Sequence, residues 1–372
     1  MAINLNVDLK KIFAGFQKLP AQLLHGAASV VGIDFGSSAI KVVQIKKEKG
    51  RAVLETYGSI ALGSYAELPP GAVTNLPPEK SAAALSILFK EAGVTTKNAA
   101  LGVPAALGLV FLIELPPSVK ESEFKDVVPT EARKFIPVPI TEVLLDWFPV
   151  PKKETAIEEE GPKTPTEILA VAIPRDALSK LTDVAAAAAL ETPIYEHEIF
   201  SAMRSILTHQ ISPVLIMDFG AAKTRLAIVE RGIVRVFHSV NRGGGDLTNS
   251  LAVSLNIPWS QAEEIKKKEG LRSKEPNVAN TVNLGVDFIL GEATNVVLNF
   301  QKKYNKGISE VFLTGGGANL PGLVEKTREV LRLSVFPASP FDKTEAPVFL
   351  DKTLKEAGPE FAVAIGLALK KL

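Results

Sequence analysis

The sequence contains one motif twice, and this repeat limits the folds that the chain can adopt. "GIDFGSS" at residues 32–38 and "IMDFGAA" at residues 216–222 each place Asp-Phe-Gly after an apolar run and before two small residues. A strand pattern carrying a cation, Lys41 or Arg225, follows each copy, and a turn and a third strand pattern come next. Such self-similarity indicates a duplicated βββ unit. We therefore predict an α/β fold with two related lobes.

Between the two copies the sequence changes character. Residues 116–190 follow the order helix, strand, strand, helix, which predicts a compact α+β insert. Within it, the acidic, proline-containing stretch at 151–167 is typical of a solvated hairpin loop. Near the start of the chain, residues 8–24 carry apolar side chains at helical spacing, which predicts an amphipathic helix. Whether that helix contacts lipid, a partner or the protein's own core stays open.

These patterns divide the chain into six segments. Helix and strand patterns after each βββ unit extend the predicted repeat to βββαβα. We predict an N-terminal amphipathic helix, a first lobe, the insert, a return to the first lobe, a second lobe and a C-terminal helix packed on the first lobe, over residues 1–28, 29–115, 116–190, 191–212, 213–348 and 349–372, respectively.

The composition excludes several classes of function. The 42 basic residues nearly balance the 41 acidic ones, so no overall charge attracts the molecule to nucleic acid. The absence of cysteine excludes disulfides and thiolate zinc sites, and the four histidines are scattered rather than spaced as metal ligands. The apolar run at 101–113 is too short to cross a bilayer. These features suit a protein of the reducing cytoplasm.

The turns that follow Asp34 and Asp218 have the chemistry of a phosphate site. A strand that ends in Asp-Phe-Gly before small residues places a carboxylate at the edge of the sheet and leaves backbone N–H groups uncovered. The alternative is that Gly36 and Gly220 only permit two tight turns. For the first copy we assign Asp34 to water-coordinated Mg²⁺, Gly36, Ser37 and Ser38 to phosphate contacts, and Lys41 to the phosphate charge.

A third glycine turn, Gly315–Gly317, separates a strand pattern from a helix pattern. It differs from a dinucleotide-binding fingerprint, because Leu320 stands where that fingerprint requires glycine. We predict that its backbone forms a wall against a flat base or sugar. A protein kinase is excluded because "SAIK" at 38–41 follows Asp-Phe-Gly instead of preceding it, and no P-loop sequence occurs.

The two βββ units and the late glycine turn resemble the superfamily of actin, sugar kinases and heat-shock ATPases, which has a ribonuclease H-like fold. The resemblance implies two lobes that hold ATP or ADP, with Mg²⁺, between two phosphate hairpins and an adenosine turn. It places an acid and a lysine of "QAEEIKKK" near the adenosine. Beyond the first hairpin, the implied residues are Asp218 as a second metal carboxylate, Gly220, Lys223, Thr224, Gly244, Gly245, Glu263, Lys266, Gly315, Gly316 and Gly317. Lys223 could equally point away from the phosphates.

Within this superfamily the sequence resembles the PilM family of type IV pilus assembly, chiefly through "EARKFIPVPITEVLLDW" at 131–147 and "EFAVAIGLALKKL" at 360–372. The insert then corresponds to subdomain 1C, which this family shares with the cell-division protein FtsA. The resemblance implies a scaffold, peripheral on the cytoplasmic face of the inner membrane. It holds the N-terminal tail of a bitopic PilN-like protein in a groove between insert and first lobe. Pilus motor ATPases and self-association are further implied contacts.

The second hairpin lacks groups that hydrolysis needs. Ala221 and Ala222 follow Gly220 where many hydrolases of the superfamily keep an acidic residue, so we expect slow or absent ATP turnover. One alternative is an FtsA-like division or filament-forming ATPase, although FtsA carries a membrane helix after its core and this sequence stops at Leu372. The other is a sugar or acetate kinase, for which we find no catalytic aspartate and no large insertion in the second lobe.

Overall fold

The computed structural model describes residues 29–151, 165–208 and 210–372. The amphipathic helix predicted at 8–24 and most of the predicted acidic loop lie outside these residues, so both stay predictions. Within the described part of the chain, no helix is long and apolar enough to cross a membrane.

The first lobe is a five-stranded mixed sheet. Its elements are β1 (Ser29–Phe35), β2 (Ala39–Glu48), β3 (Arg51–Ala61), helix α1 (Pro78–Ala92), β4 (Asn98–Val103) and, later in the chain, β8 (Glu191–His197). The strand order is β3-β2-β1-β4-β8. The first three strands form an antiparallel meander, and β1, β4 and β8 run parallel to one another.

The second lobe repeats this topology. Its elements are β9 (Val214–Phe219), β10 (Thr224–Glu230), β11 (Ile233–Val240), α5 (Gly244–Leu255), α6 (Trp259–Lys268), α7 (Pro276–Tyr304), β12 (Glu310–Thr314), α8 (Leu323–Leu331) and β13 (Ser334–Pro337). The order β11-β10-β9-β12-β13 matches the first sheet strand for strand. The duplicated unit that the two Asp-Phe-Gly copies predict is therefore present.

Residues 105–180 form a separate compact unit. It contains β5 (Leu109–Leu115), α2 (Phe124–Ala132), β6 (Val143–Pro149) and β7 (Thr166–Pro174), and α3 (Arg175–Ala187) begins in it. The antiparallel order is β5-β7-β6. Strand β5, which the sequence divisions assign to the first lobe, pairs with β7 instead. The reason is packing, because Ile113 and Leu115 are buried against Phe124 and Val128 of α2.

Two further helices complete the first lobe, α4 (Glu198–Ile206) and α9 (Asp351–Lys371). Small residues let α9 approach its neighbours closely: a Cβ atom on Gly32 of β1 would lie 1.9 Å from the Ala364 carbonyl oxygen. Buried Phe361 and Ile365 of α9 pack against Val43 of β2. The C-terminal helix thus forms part of the first-lobe core.

Candidate functional site

Each Asp-Phe-Gly copy forms an equivalent ion pair between its aspartate and a cation on the next strand. Asp34 on β1 lies directly opposite Lys41 on β2, and Asp218 on β9 lies directly opposite Arg225 on β10. Lys41 Nζ is 3.5 Å from Asp34 Oδ2, and Arg225 Nη1 is 3.1 Å from Asp218 Oδ2. The duplication therefore reproduces a carboxylate and a cation as well as the strands.

The two pairs lie close enough to act on each other. Burial raises the pKa of Asp34 and the Asp218 charge raises it further, against the lowering effect of Lys41 and Arg225. Burial alone would lower the pKa of Lys41, but Asp34, Glu360 and Asp218 together raise it above its ordinary value. The structure thus gathers acids and cations from both lobes into one buried cluster.

Glycine is required at both hairpin turns. Gly36 N donates to Ala39 O at 3.0 Å, and a Cβ atom there would lie 2.9 Å from the same oxygen. Gly220 N donates to Lys223 O at 3.1 Å, and a Cβ atom would lie 2.8 Å from that oxygen. Ser37 and Ser38 follow the first turn and are half-buried.

The second hairpin is bound to the start of α5. Gly244 N donates to Gly220 O and Gly245 N donates to Ala221 O, each at 2.9 Å. A Cβ atom on Gly243 would lie 2.5 Å from Ala221 O, so no larger residue fits there. Gly244 and Gly245 therefore lie against the second hairpin, and their N–H groups donate to its carbonyl oxygens.

The predicted pair Glu263 and Lys266 lies at the start of α5, next to the second hairpin. Lys266 Nζ lies 2.6 Å from Glu263 Oε2 and donates to Gly244 O at 2.9 Å and to Thr248 Oγ1 at 2.7 Å. Burial lowers the pKa of Lys266. Burial would raise the pKa of Glu263, but Lys266 and the Thr248 hydroxyl hold it below its ordinary value. An ionised carboxylate therefore lies beside the second hairpin.

The third glycine turn packs on the second Asp-Phe-Gly. Gly315 has φ +82°, and a Cβ atom on it would lie 2.3 Å from Asp218 Oδ1. A Cβ atom on Gly317 would lie 2.9 Å from Phe219 Cβ, and one on Gly316 would lie 4.0 Å from Glu360 Oε2. Gly315 and Gly316 therefore lie beside Asp218 and Glu360, whereas Gly317 packs on Phe219.

One predicted side chain points elsewhere. Thr224 is fully buried, and its hydroxyl donates to Arg242 O at 2.8 Å. The Lys223 carbonyl accepts the hydrogen bond that closes the hairpin turn, and the Lys223 side chain is partly exposed. The Thr224 hydroxyl therefore stabilises the second lobe itself and does not point toward the predicted phosphates.

Two acids near the cluster escaped sequence reasoning. Glu198, at the start of α4 in the first lobe, lies 2.7 Å from Arg225 Nε and so bridges the lobes. Glu360 on α9 acts on Lys41 and borders Gly316. The repeated cation at Arg225 indicates from the sequence that acids would lie nearby, but it does not indicate which ones. No sequence pattern marks either acid, because each reaches the cluster from a distant segment.

The donor set fits a hydrated Mg²⁺ that arrives with phosphate. Two carboxylates, Asp34 and Asp218, lie at the carboxyl ends of equivalent strands. Mg²⁺ is commonly held by one or two carboxylates, water and phosphate oxygens. No group of three histidine, aspartate or glutamate side chains that could hold a metal by itself occurs among the described residues.

The sequence matches known proteins along most of its length. Residues 32–372 match the profile of a family described as type IV pilus assembly protein PilM. The cell division protein FtsA is 24% identical over 148 residues in Bacillus subtilis, where the match spans 34% of each chain. In Enterococcus faecalis it is 20% identical over 348 residues, 82% of this chain and 77% of that one.

Solved structures confirm the predicted actin-like, two-lobed fold. The PilM-PilN type IV pilus biogenesis complex superposes with a TM-score of 0.77 at 23% identity, over 93% of this chain and 99% of that one. MreB 5 of Spiroplasma citri bound to AMPPNP superposes with a TM-score of 0.50 at 14% identity, over 92% of this chain and 95% of that one.

Proposed function

The chain belongs to the type IV pilus assembly protein PilM family, and we propose that it is a nucleotide-binding scaffold that holds the tail of a PilN-like membrane protein. The proposal that it binds a nucleotide depends on the buried cluster of Asp34, Lys41, Asp218 and Arg225. In this cluster, ion pairs from equivalent hairpins of the two lobes lie close enough to affect each other. The similar PilM-PilN complex supports the partner half.

ATP or ADP is the ligand that this cleft suits best. The phosphates would lie at the Gly36 turn, with Lys41 to offset their charge. Carboxylate Glu263 is suited to accept hydrogen bonds from ribose hydroxyls, and the Gly315 turn offers bare backbone to the base. The similar fold of MreB 5 was solved with AMPPNP bound, which agrees with this choice. Bound Mg²⁺ would neutralise phosphate charge beside Asp34 and Asp218.

Binding rather than fast hydrolysis is the proposed use of the nucleotide. Ala221 and Ala222 carry no group that could order an attacking water, and Arg225 and Lys41 engage the two nearest carboxylates. A ligand shifts the lobe arrangement only through different affinity for the two arrangements, and hydrolysis is not required for that. ATP would then set the state that the partner recognises.

We predict that Asp34→Ala or Lys41→Ala weakens Mg·ATP binding by roughly tenfold or more, about 1.4 kcal/mol. Each substitution removes one member of a buried pair at the first hairpin. Titration calorimetry with ATP and ADP measures the effect, with circular dichroism to verify folding. Lys46→Ala, on the same strand but partly exposed beside Glu48, is the matched control and should bind as the wild type does. Unchanged affinity for Mg·ATP in both site variants would show that Asp34 and Lys41 do not form the nucleotide site.

The partner surface that we propose lies on the insert. Phe135 is 46% exposed and stacks on Phe111 at a centroid distance of 4.8 Å, and Val138 is 41% exposed. Strand β5, which carries Phe111, is an edge strand of its sheet. An exposed aromatic ring beside an edge strand suits an extended apolar peptide.

A synthetic peptide with the N-terminal tail of the PilN-like protein of the same organism should bind the wild type. Phe135→Ser should weaken that binding by roughly tenfold or more, because it removes the exposed ring of the stack. Fluorescence anisotropy of a labelled peptide measures both. Val253→Ser, which changes another exposed apolar side chain, 73% exposed on α5 of the second lobe, is the control. Equal loss in both variants would argue against a specific surface.

Through such a partner the protein would sit on the cytoplasmic face of the inner membrane, where contact with motor ATPases and self-association also belong to the proposal. The FtsA relatives favour one other candidate, a filament-forming ATPase. Sedimentation with ATP and lipid vesicles, with and without the peptide, separates the two. Filaments that form on lipid without any peptide binding would support the alternative.

A further inference from the structure

The segment between β3 and α1 is fixed at both ends to the first hairpin. We call residues 62–74 the strap. Leu62 N donates to Ser38 O at 2.9 Å, and Thr74 N donates to Ser37 O at 2.7 Å. The Thr74 hydroxyl also donates to Ser37 O, at 3.3 Å. The strap therefore begins and ends on the turn that is proposed to hold phosphate.

The strap keeps its own shape between these anchors. Leu68 N donates to Gly63 O at 2.9 Å, and Ala72 N donates to Pro69 O at 3.1 Å. A Cβ atom on Gly63 would lie 2.1 Å from Pro69 O, so the first half of the strap folds tightly on itself. Internal hydrogen bonds of this kind give the strap a defined shape of its own.

The far part of the strap rests on the second lobe. A Cβ atom on Gly71 would lie 3.4 Å from Trp259 Cη2 and 3.7 Å from Glu263 Oε1. Gly71 has φ +88°, which favours glycine at this close approach. Val73 Cγ2 would lie 3.4 Å from a Cβ atom on Gly245. The strap, a loop of the first lobe, thus contacts α5 and α6 of the second lobe, and α6 carries Glu263, which is proposed to bind the ribose.

These contacts place the strap across the proposed nucleotide site. Trp259 and Glu263 are four residues apart on α6 and so share one face of the helix, the face that meets Gly71. The phosphate end of the site is at Ser37 and the sugar end at Glu263, and the strap joins the two. A nucleotide bound between the hairpins and α6 is then covered on this side.

We propose that the strap closes the nucleotide cleft, and that its release from Trp259 and Gly245 limits how fast a nucleotide leaves. The inference rests on the proposed function, since it takes the cleft between the hairpins to be the nucleotide site. Val73 is 43% exposed, so its contact with the second lobe is small and its release leaves the core of the first lobe buried. The strap contributes to the rate of exchange and leaves the choice of nucleotide to the site beneath it.

The first experiment compares release rates. N-methylanthraniloyl-ADP is bound to the protein, excess ADP is added, and the decay of fluorescence is followed by stopped flow. Val73→Ala and Trp259→Ala are each expected to speed release about fivefold, because each removes apolar surface that the strap covers. Ile87→Ala, which changes a 46% exposed side chain on α1, should release as the wild type does. Wild-type rates in both contact variants would overturn the proposal.

The second experiment locks the strap. The chain has no cysteine, so Val73→Cys with Gly245→Cys introduces the only pair of thiols. The oxidised protein should release N-methylanthraniloyl-ADP at least roughly tenfold more slowly than the same protein after reduction, which is its own control. Equal rates in the two states would overturn the proposal. If this variant binds no nucleotide when reduced, the alanine variants decide alone.

The outcomes also separate this proposal from the one on which it rests. A wild type that binds neither N-methylanthraniloyl-ADP nor the corresponding ATP would overturn the nucleotide function and the strap with it. A wild type that binds, together with strap variants that release at the wild-type rate, would overturn the strap alone.

Discussion

Replacing Glu196 with alanine should lower the free energy of unfolding by about 3–5 kcal/mol, the usual cost of breaking a buried ion pair from one side. Glu196 is the penultimate residue of β8 and is 3% exposed. Arg204 of α4 donates to its two carboxylate oxygens at 2.7 and 2.8 Å, and Lys370 of α9 donates at 2.9 Å. Burial raises the pKa of Glu196, but these cations bring it below its ordinary value.

The expected loss is large because one carboxylate serves three elements of the first lobe. Alanine removes the group that Arg204 and Lys370 share and leaves both cations in a site built for an anion. Loss of the carboxylate destabilises the Lys370 site more than the Arg204 site, because the Lys370 side chain is only 4% exposed. The substitution therefore loosens α9 from α4 and β8 together.

Urea unfolding followed by circular dichroism measures this change. Glu48→Ala is the control, because Glu48 pairs with Lys46 on the surface and is half exposed, and we expect no measurable shift of the midpoint. If Glu196→Ala shifts the midpoint no more than Glu48→Ala does, the carboxylate is not the structural centre that its contacts indicate.

The sequence correctly predicts which residues meet when they are close along the chain. Asp34 and Lys41 stand on either side of one tight hairpin, so the strand pattern alone brings them together. The same argument holds for Asp218 and Arg225 in the second copy. The resemblance implies Glu263 and Lys266, and their contacts with Thr248 and Gly244 of α5 depend on how α6 packs on α5.

The contributions that sequence reasoning missed come from distant segments. Glu198 and Glu360 belong to α4 and α9, and only the packing of those helices brings their carboxylates to Arg225 and Lys41. Strand β5 has an apolar pattern that suits either sheet, and the fit of Ile113 against α2 decides between them. Such choices depend on side-chain complementarity, which a single sequence does not display.

Gly366→Ala should destabilise the protein by about 3 kcal/mol or more, because the new methyl group has no space. A Cβ atom on Gly366 would lie 1.8 Å from the Ser201 carbonyl oxygen and 2.4 Å from the carbonyl carbon. These are backbone atoms of α4, so no rotamer change relieves the clash and α9 has to move away. The movement also strains the 2.9 Å hydrogen bond from Arg204 to the Gly366 carbonyl.

Gly291→Ala provides a control of the same chemistry and the opposite sign. Gly291 lies inside α7, and a Cβ atom there meets no atom within 4 Å beyond its own helix. Alanine in an exposed helix interior should stabilise the protein by up to about 1 kcal/mol. Urea midpoints of the two variants should therefore move in opposite directions. A Gly366→Ala protein as stable as the wild type would mean that α9 and α4 are not in close backbone contact, and that the small residues of α9 serve another purpose.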